Sequence, residues 1–298
     1  DALLLQTPES FRHRFNVDVR VFNEVIAIDK HKKEVTVRRV LTGEIYLESY
    51  DKLLLSPGAS PVKPPIPGIN SHYVFSLRNI PDMDQILSSL LLNKPEHATV
   101  VGGGFIGLEM VEALHHRGIK VTLLELSDQV MAPVDREMAN MLHQELVEKG
   151  VDLRLNTGLT AVTELEIQPA EPEATGEYDK QIEHTNTLEL MLSTGEMLKT
   201  GLVVLAIGVK PETMLANQAG IELGARGGIK VDARMCTSDP DIFAVGDVVE
   251  TEDFVTALPS LVPLAGPANR QGRIAADNML GRREIYRRTQ GTSICKLF

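Results

Sequence analysis

A glycine-rich turn between a strand and a helix constrains the fold of this chain more than any other feature. Residues 98–101 are a short apolar stretch typical of a buried strand, and Gly102-Gly103-Gly104-Phe105-Ile106-Gly107 follows directly. Residues 105–117 carry apolar side chains at helical spacing. Residues 120–125 are a second strand-like stretch, ending in an acid, Glu125, that lies 23 positions after Gly102. This order of strand, G-x-G-x-x-G, helix, strand and acid is typical of a dinucleotide-binding βαβ unit.

Each glycine of the motif has a physical role if a dinucleotide binds there. Gly102 permits the tight turn, Gly104 lets the backbone approach a pyrophosphate, and Gly107 lets the helix pack closely on the strand. The N–H groups that open the helix then face the phosphates. The alternatives are a turn for another nucleotide and a glycine turn of purely structural function.

Glu125 indicates which nucleotide is preferred. Its carboxylate would accept hydrogen bonds from the adenosine ribose hydroxyls and would repel a 2′-phosphate. Position 127 is a serine and not an arginine that would favour such a phosphate. NADH is therefore predicted in preference to NADPH.

The rest of the chain predicts an α/β protein of two domains. The length of 298 residues suggests two domains at roughly 150 residues each. Helix-like segments at 80–92 and 136–149 alternate with strand-like segments such as 151–157, which predicts a parallel sheet covered by helices. Residues 61–68 contain four prolines, so this segment is expected to be a rigid connector near a domain boundary.

Composition excludes several classes of function. The 30 basic and 41 acidic residues give a formal charge of −11, which argues against a nucleic-acid partner. No apolar run reaches the 18 or so residues that a membrane span needs. Two cysteines, Cys236 and Cys295, suffice for neither a disulfide framework nor a zinc site, so no metal is expected. A soluble cytoplasmic protein is predicted.

An acidic segment interrupts the α/β pattern at residues 164–187. Seven acidic residues and one basic residue, Lys180, lie within 164–183, together with two prolines and a glycine. A solvated hairpin loop is predicted. A partner-binding acidic loop is the alternative.

Four motifs together resemble one family. They are Ser56–Pro61 (SPGASP), Gly102–Glu109 (GGGFIGLE), Ala206–Glu212 (AIGVKPE) and Asp241–Asp247 (DIFAVGD). In this order they resemble the FAD- and NAD(P)H-dependent pyridine nucleotide-disulfide oxidoreductases. PPIPGI and residues 261–281 resemble the branch of coenzyme A-disulfide reductases, NADH oxidases and persulfide reductases, some of which carry a C-terminal rhodanese domain.

The resemblance implies a three-layer α/β architecture with two Rossmann-like dinucleotide-binding domains. The FAD domain would be discontinuous, formed by residues 1–78 and 211–298. The NAD(P)H-binding domain would be inserted between them at 79–210 and would carry the acidic loop. The full-length protein would be a homodimer.

The resemblance also implies the residues of each site. Those expected at FAD are Ser56, Pro57, Gly58, Gly246, Asp247, Pro263, Leu264 and Ala265. Those expected at NADH are Gly102, Gly104, Phe105, Ile106, Gly107, Glu109, Glu125 and Gly208. Asn269 would face a thiol substrate.

Individual roles follow from the same resemblance. Asp247 would bond the ribityl or pyrophosphate region of FAD, and residues 263–265 would lie beside the flavin ring. Phe105 would be an aromatic gate over the flavin, with Glu109 near the nicotinamide. An ordinary helix pair is the alternative for Phe105 and Glu109, and a helix cap or surface position for Asn269. Arg12 and Arg14 would either meet the phosphates of coenzyme A or form a solvated face.

Two family features are missing from this sequence. The glycines before residue 100 are Gly43, Gly58 and Gly68, so a first G-x-G-x-x-G for the FAD adenosine is absent. No cysteine precedes Cys236, so the redox cysteine of the branch is absent too. Both cysteines present are predicted to be buried structural thiols, and no catalytic residue is predicted in this chain. A fragment truncated at both ends is expected.

The predicted activity is that of the full-length protein. It would pass a hydride from NADH to FAD and on to a disulfide, persulfide or polysulfide, such as a disulfide or persulfide of coenzyme A. The alternatives are an NADH oxidase that reduces oxygen, a nucleotide-binding fragment without turnover, and a non-disulfide relative such as a ferredoxin reductase.

Overall fold

A computed structural model describes residues 5–165 and 188–298, and the chain divides into two compact units. Unit 1 comprises Asp1–Ala59 and Pro211–Thr292, and unit 2 comprises Ser60–Lys210 and Ser293–Phe298. Unit 1 is therefore discontinuous and unit 2 is inserted into it. Most of the acidic segment predicted as a hairpin loop, residues 166–187, lies outside the described residues.

The boundaries of the units differ from those predicted from the sequence. Residues 60–78 were expected with the first FAD-domain segment, but they belong to unit 2. The reason is that Val74–Ser76 pairs in parallel with Leu202–Leu205, inside the sheet of unit 2. Residues 293–298 also belong to unit 2, because Leu297 and Phe298 pack against its core.

Helices begin where the sequence supplies caps. Thr7 and Asn79 each form a capping box with the residue three positions later, and a proline follows in the first turn. The helices of the described residues are α1 (Pro8–Phe15), α2 (Ile80–Asn93), α3 (Phe105–His115), α4 (Arg136–Glu148), α5 (Met214–Gln218) and α6 (Ala265–Met279). A 3₁₀ turn spans Gly246–Val248. No helix in these ranges is both long and apolar enough to span a bilayer.

Strands alternate with these helices along the described chain. In the first half they are β1 (Asn23–Asp29), β2 (Glu34–Arg39), β3 (Ile45–Ser49), β4 (Leu53–Leu55), β5 (Ala59–Pro61), β6 (Val74–Ser76), β7 (His97–Val101), β8 (Lys120–Leu124) and β9 (Asp152–Arg154). In the second half they are β10 (Leu159–Glu164), β11 (Leu188–Leu192), β12 (Met197–Thr200), β13 (Leu202–Leu205), β14 (Val209–Pro211), β15 (Ile229–Lys230), β16 (Ile242–Ala244), β17 (Val249–Glu252) and β18 (Pro259–Ser260).

Unit 2 is built in three layers around a five-stranded parallel sheet of order β6-β13-β7-β8-β9. Alternate residues of the central strands point to opposite faces. Val100, Leu123 and Val204 pack with α3 and α4 on one face. Leu124 and Val203 pack on the other face with the antiparallel sheet β10-β11-β12. The predicted α/β class with a parallel sheet is confirmed, with helices on one face of that sheet and an antiparallel sheet on the other.

Unit 1 contains several small sheets around a second core. An antiparallel sheet has the order β1-β2-β3, and a parallel pair joins β4 to β16. A further sheet has the order β15-β17-β18. Met235, Ile242 and Ala275 are fully buried in this core, which α5 and α6 help to form. Because β4 and β16 are parallel neighbours, their carboxyl ends lie side by side, and the site described below is at these ends.

Candidate functional sites

The glycine turn of unit 2 lies between β7 and α3, at the carboxyl end of the parallel sheet. Gly102 has a φ of +106°, and a Cβ there would lie 2.5 Å from the Ala206 carbonyl oxygen. A Cβ on Gly107 would overlap the Gly102 carbonyl oxygen. Both positions therefore exclude any larger side chain, which lets α3 approach the turn closely.

Gly104 differs from these two glycines because the space beside it is open. A Cβ at Gly104 would have no neighbour within 4 Å among the described residues, and its φ of −81° suits any residue. Gly104 is the N-cap of α3, and no side chain caps this helix. Because Gly104 has no side chain to cover them, the first N–H groups of α3 and the positive end of the helix dipole are accessible at this position.

Glu125 is held against the glycine turn by both carboxylate oxygens. Oε2 accepts a hydrogen bond from the Gly103 N–H at 2.6 Å, and Oε1 accepts one from the Ser127 N–H at 2.8 Å. A carboxylate has about four acceptor sites, so each oxygen retains capacity for a further donor. Glu125 therefore shapes the turn and can still accept hydrogen bonds from ribose hydroxyls.

The remaining residues predicted for NADH lie close in sequence to this turn. Phe105 is half-buried and packs against the core, whereas Ile106 and Glu109 are exposed on α3. Gly208 is exposed just before β14 with a φ of +103°.

A cavity of about 620 Å³ lies in unit 1 at the carboxyl ends of β4 and β16. It is lined by Ser56, Gly58, Val245, Gly246, Asp247, Ala268, Asn269, Gly272, Arg273 and Ala276. The cavity thus brings together four residues predicted for FAD, Ser56, Gly58, Gly246 and Asp247, with Asn269. Pro57 and residues 263–265, also predicted for FAD, are not among its lining residues.

Gln271 was missed by the sequence analysis although it fixes one wall of this cavity. Its side chain is buried, and Oε1 accepts a hydrogen bond from the Gly246 N–H at 2.8 Å. Gly246 has a φ of +81°, so this bond holds the turn in a conformation that few residues adopt. The sequence carries only a weak signal for it, the spacing of one helical turn between Gln271 and Ala275, both of which the structure buries.

Asn269 is exposed, and its side-chain amide donates to the Ala265 carbonyl oxygen at 3.1 Å within α6. Its Nδ2 atom is therefore partly engaged by its own helix. The Oδ1 acceptor is the group that it can offer to the cavity.

The cysteines are not placed as predicted. Cys236 is half-buried, and burial raises the pKa of its thiol, which donates to the Asp239 carbonyl oxygen at 3.5 Å. Cys295 was predicted to be buried but is exposed, and residues 291–298 around it form neither helix nor strand. Its pKa is raised by partial desolvation and by the carboxylates of Glu109 and Glu112. Neither thiol is activated as a nucleophile.

Comparison with known proteins gives consistent matches over almost the whole chain. The family model described as pyridine nucleotide-disulphide oxidoreductase matches residues 4–272. A coenzyme A disulfide reductase of Staphylococcus aureus (strain JH9) is 31% identical over 296 residues, which cover 99% of this chain and 62% of that protein.

Two solved structures are similar in both sequence and fold. Reduced CoADR-RHD of Bacillus anthracis is 45% identical with a TM-score of 0.89, over 100% of this chain and 50% of that one. An NAD-dependent persulfide reductase from A. fulgidus is 33% identical with a TM-score of 0.87, over 98% of this chain and 51% of that one. The chain therefore spans between 50% and 62% of the length of these three proteins.

Proposed function

Because the chain belongs to the pyridine nucleotide-disulphide oxidoreductase family, we propose that it carries NADH- and FAD-binding parts of a flavoprotein that reduces a sulfur substrate. The observation that carries this proposal is the glycine turn with Glu125 bonded to Gly103, which has the features of a dinucleotide site. Bound FAD would accept a hydride from NADH and pass two electrons to the sulfur substrate.

In unit 2 the chain's own residues bind and orient the nicotinamide nucleotide. The N–H groups at the start of α3 hold the pyrophosphate, and Gly104 allows it to approach. Glu125 accepts hydrogen bonds from the ribose and disfavours a 2′-phosphate, so NADH is the preferred donor. Phe105 and Glu109, one helical turn apart, would lie towards the nicotinamide end.

In unit 1 the cavity residues fit part of a flavin nucleotide. Gly246 and Asp247 are placed at the end of β16, and Gln271 fixes their turn. Arg273 lines the same cavity and supplies a positive charge suited to a diphosphate. Ser56 and Gly58 line the cavity from the end of β4.

We propose a disulfide or persulfide of coenzyme A as the substrate, since proteins acting on these two classes are among the relatives. Neither thiol of the chain has a lowered pKa, so we assign no catalytic cysteine to it.

Flavin absorption of the whole protein, which we propose is a cytoplasmic homodimer, tests this function. Anaerobic NADH should bleach the flavin absorption, and coenzyme A disulfide should restore it. If oxygen restores the absorption at a higher rate than the disulfide, the activity is that of an NADH oxidase.

Removing the Asp247 carboxylate should affect the proposed FAD site and leave the proposed NADH site unchanged. We expect Asp247→Ala to weaken FAD binding by about tenfold or more, because it removes a hydrogen-bonding group from the cavity wall. NADH binding in unit 2 should be unchanged. Equilibrium dialysis of each nucleotide with the purified chain measures both effects.

The matched control is Asp51→Ala, since Asp51 is an exposed aspartate of unit 1 outside the cavity. It should leave the binding of both nucleotides unchanged. Equal FAD affinity in the Asp247→Ala variant and the parent chain would remove Asp247 from the proposed site.

A further inference from the structure

Residues 126–135, which form most of the loop between β8 and α4, pack against the glycine turn and support it; they are called the support loop below. The Met131 N–H donates to the Gly103 carbonyl oxygen at 2.8 Å. The Val130 side chain is fully buried, and its Cγ1 would lie 2.7 Å from a Cβ built on Gly103. Because the Gly103 N–H also bonds Glu125, this support loop sets the position of a residue at the centre of the site.

His143 of α4 holds the support loop in turn. Its Nε2 atom accepts a hydrogen bond from the Val130 N–H at 3.1 Å. A backbone N–H can only donate, so the imidazole must be neutral and carry its proton on Nδ1. A protonated imidazole has donors on both nitrogens and cannot accept this bond.

Two charged groups face His143. Arg136 lies on the same helix, and Asp128 lies in the support loop, where its Oδ2 pairs with Arg136 Nη1 at 2.6 Å. Burial and the Arg136 charge lower the pKa of His143, while the Asp128 carboxylate opposes this shift. The imidazole is therefore neutral at neutral pH, and it gains a proton only at a lower pH than an ordinary histidine does.

We propose that His143 is a positioning residue of the nucleotide site. The neutral imidazole fixes Val130, and the adjoining Met131 bond fixes Gly103, so the turn is ready for a pyrophosphate. Protonation of His143 breaks the bond to Val130 and loosens the turn, which makes nucleotide binding sensitive to acid. This inference rests on the proposed nucleotide role of the turn.

The test compares NAD⁺ affinity of three chains between about pH 5 and 7.5, a range that extends well below the ordinary histidine pKa because the pKa of His143 is lowered. We expect the parent chain to lose affinity several-fold towards the acid end, because its imidazole becomes charged. His143→Leu, which has no acceptor, should bind weakly at every pH. His143→Gln supplies a neutral acceptor oxygen, so it should bind well at pH 7.5 and lose little affinity towards the acid end.

The control is His72→Gln, since His72 is an exposed histidine of the same unit and should leave the pH profile of the parent chain intact. An acid-sensitive profile in His143→Gln, or full affinity of His143→Leu at pH 7.5, would overturn the proposal.

Amide hydrogen exchange, corrected for the intrinsic pH dependence, gives a second measure that needs no ligand. We expect the N–H groups of Gly103 and Val130 to lose protection in His143→Leu and to keep it in His143→Gln. Unchanged protection in His143→Leu would show that His143 does not stabilise the glycine turn. If NAD⁺ binds to no chain at any pH, the proposed function and the nucleotide role of His143 both fail. The exchange data still decide whether His143 stabilises the glycine turn.

Discussion

Replacing Gly107 with alanine should destabilise unit 2 and abolish nucleotide binding. The new Cβ would overlap the Gly102 carbonyl oxygen and lie 3.0 Å from the carbonyl carbon, and neither backbone atom can move without opening the turn. Helix α3 would have to shift away from β7, although its Leu108 and Val111 are fully buried. We expect a loss of about 3 kcal/mol in the free energy of unfolding, at the upper end for overpacked sites. Urea denaturation and NAD⁺ titration measure the two effects.

The matched control is Gly104→Ala, which changes the same motif without a steric conflict. No described atom lies within 4 Å of the new Cβ, so the free energy of unfolding should change by about 0.5 kcal/mol or less. Nucleotide affinity should still fall by about tenfold or more, because the methyl group occupies space proposed for the pyrophosphate. Normal affinity in Gly104→Ala would show that no phosphate approaches this residue, and normal stability in Gly107→Ala would refute the packing constraint.

The βαβ unit could be predicted because all of its signals are local. The strand, the glycine turn, the helix and Glu125 lie within 28 consecutive residues, from 98 to 125, and each imposes a short-range steric or hydrogen-bonding requirement. Four short motifs in a fixed order sufficed for the family, which the comparisons confirm. The NADH and FAD residues within those motifs remain predictions.

The domain boundary could not be predicted in the same way. Strand β6 has three residues and follows a proline-rich segment, so its own sequence carries a weak signal. It belongs to unit 2 because it pairs with β13, more than 120 residues further along the chain. Tertiary pairing of this kind leaves no local pattern.

Supporting side chains were missed for a related reason. Gln271 and His143 each accept a hydrogen bond from a backbone N–H on a different element, Gly246 and Val130 respectively. A polar residue on an amphipathic helix is ordinary, and its partner is apparent only once the elements are packed. Sequence patterns therefore predicted the motif glycines better than the residues that hold them.

Changing Glu125 should alter the choice between NADH and NADPH more than any other substitution in the chain. In Glu125→Arg the guanidinium would attract the 2′-phosphate that the carboxylate repels. We expect the ratio of the two dissociation constants to shift towards NADPH by about 100-fold, equivalent to about 2.8 kcal/mol. Because arginine cannot accept from the N–H groups of Gly103 and Ser127, absolute affinity for NADH should fall as well.

Glu125→Gln distinguishes the effect of the negative charge on nucleotide choice from the effect of the hydrogen bonds. The amide keeps one acceptor oxygen for the turn and removes the repulsion, so its ratio should lie between those of the parent chain and the arginine variant. Fluorescence titrations with NADH and NADPH at two salt concentrations give the ratios, and the arginine shift should shrink at high salt because exposed charges are screened. Glu109→Gln is the matched control, since it removes the same charge near the nicotinamide end that NADH and NADPH share. A ratio that is the same in all four chains would exclude Glu125 from contact with the ribose and leave it only its observed bonds to Gly103 and Ser127.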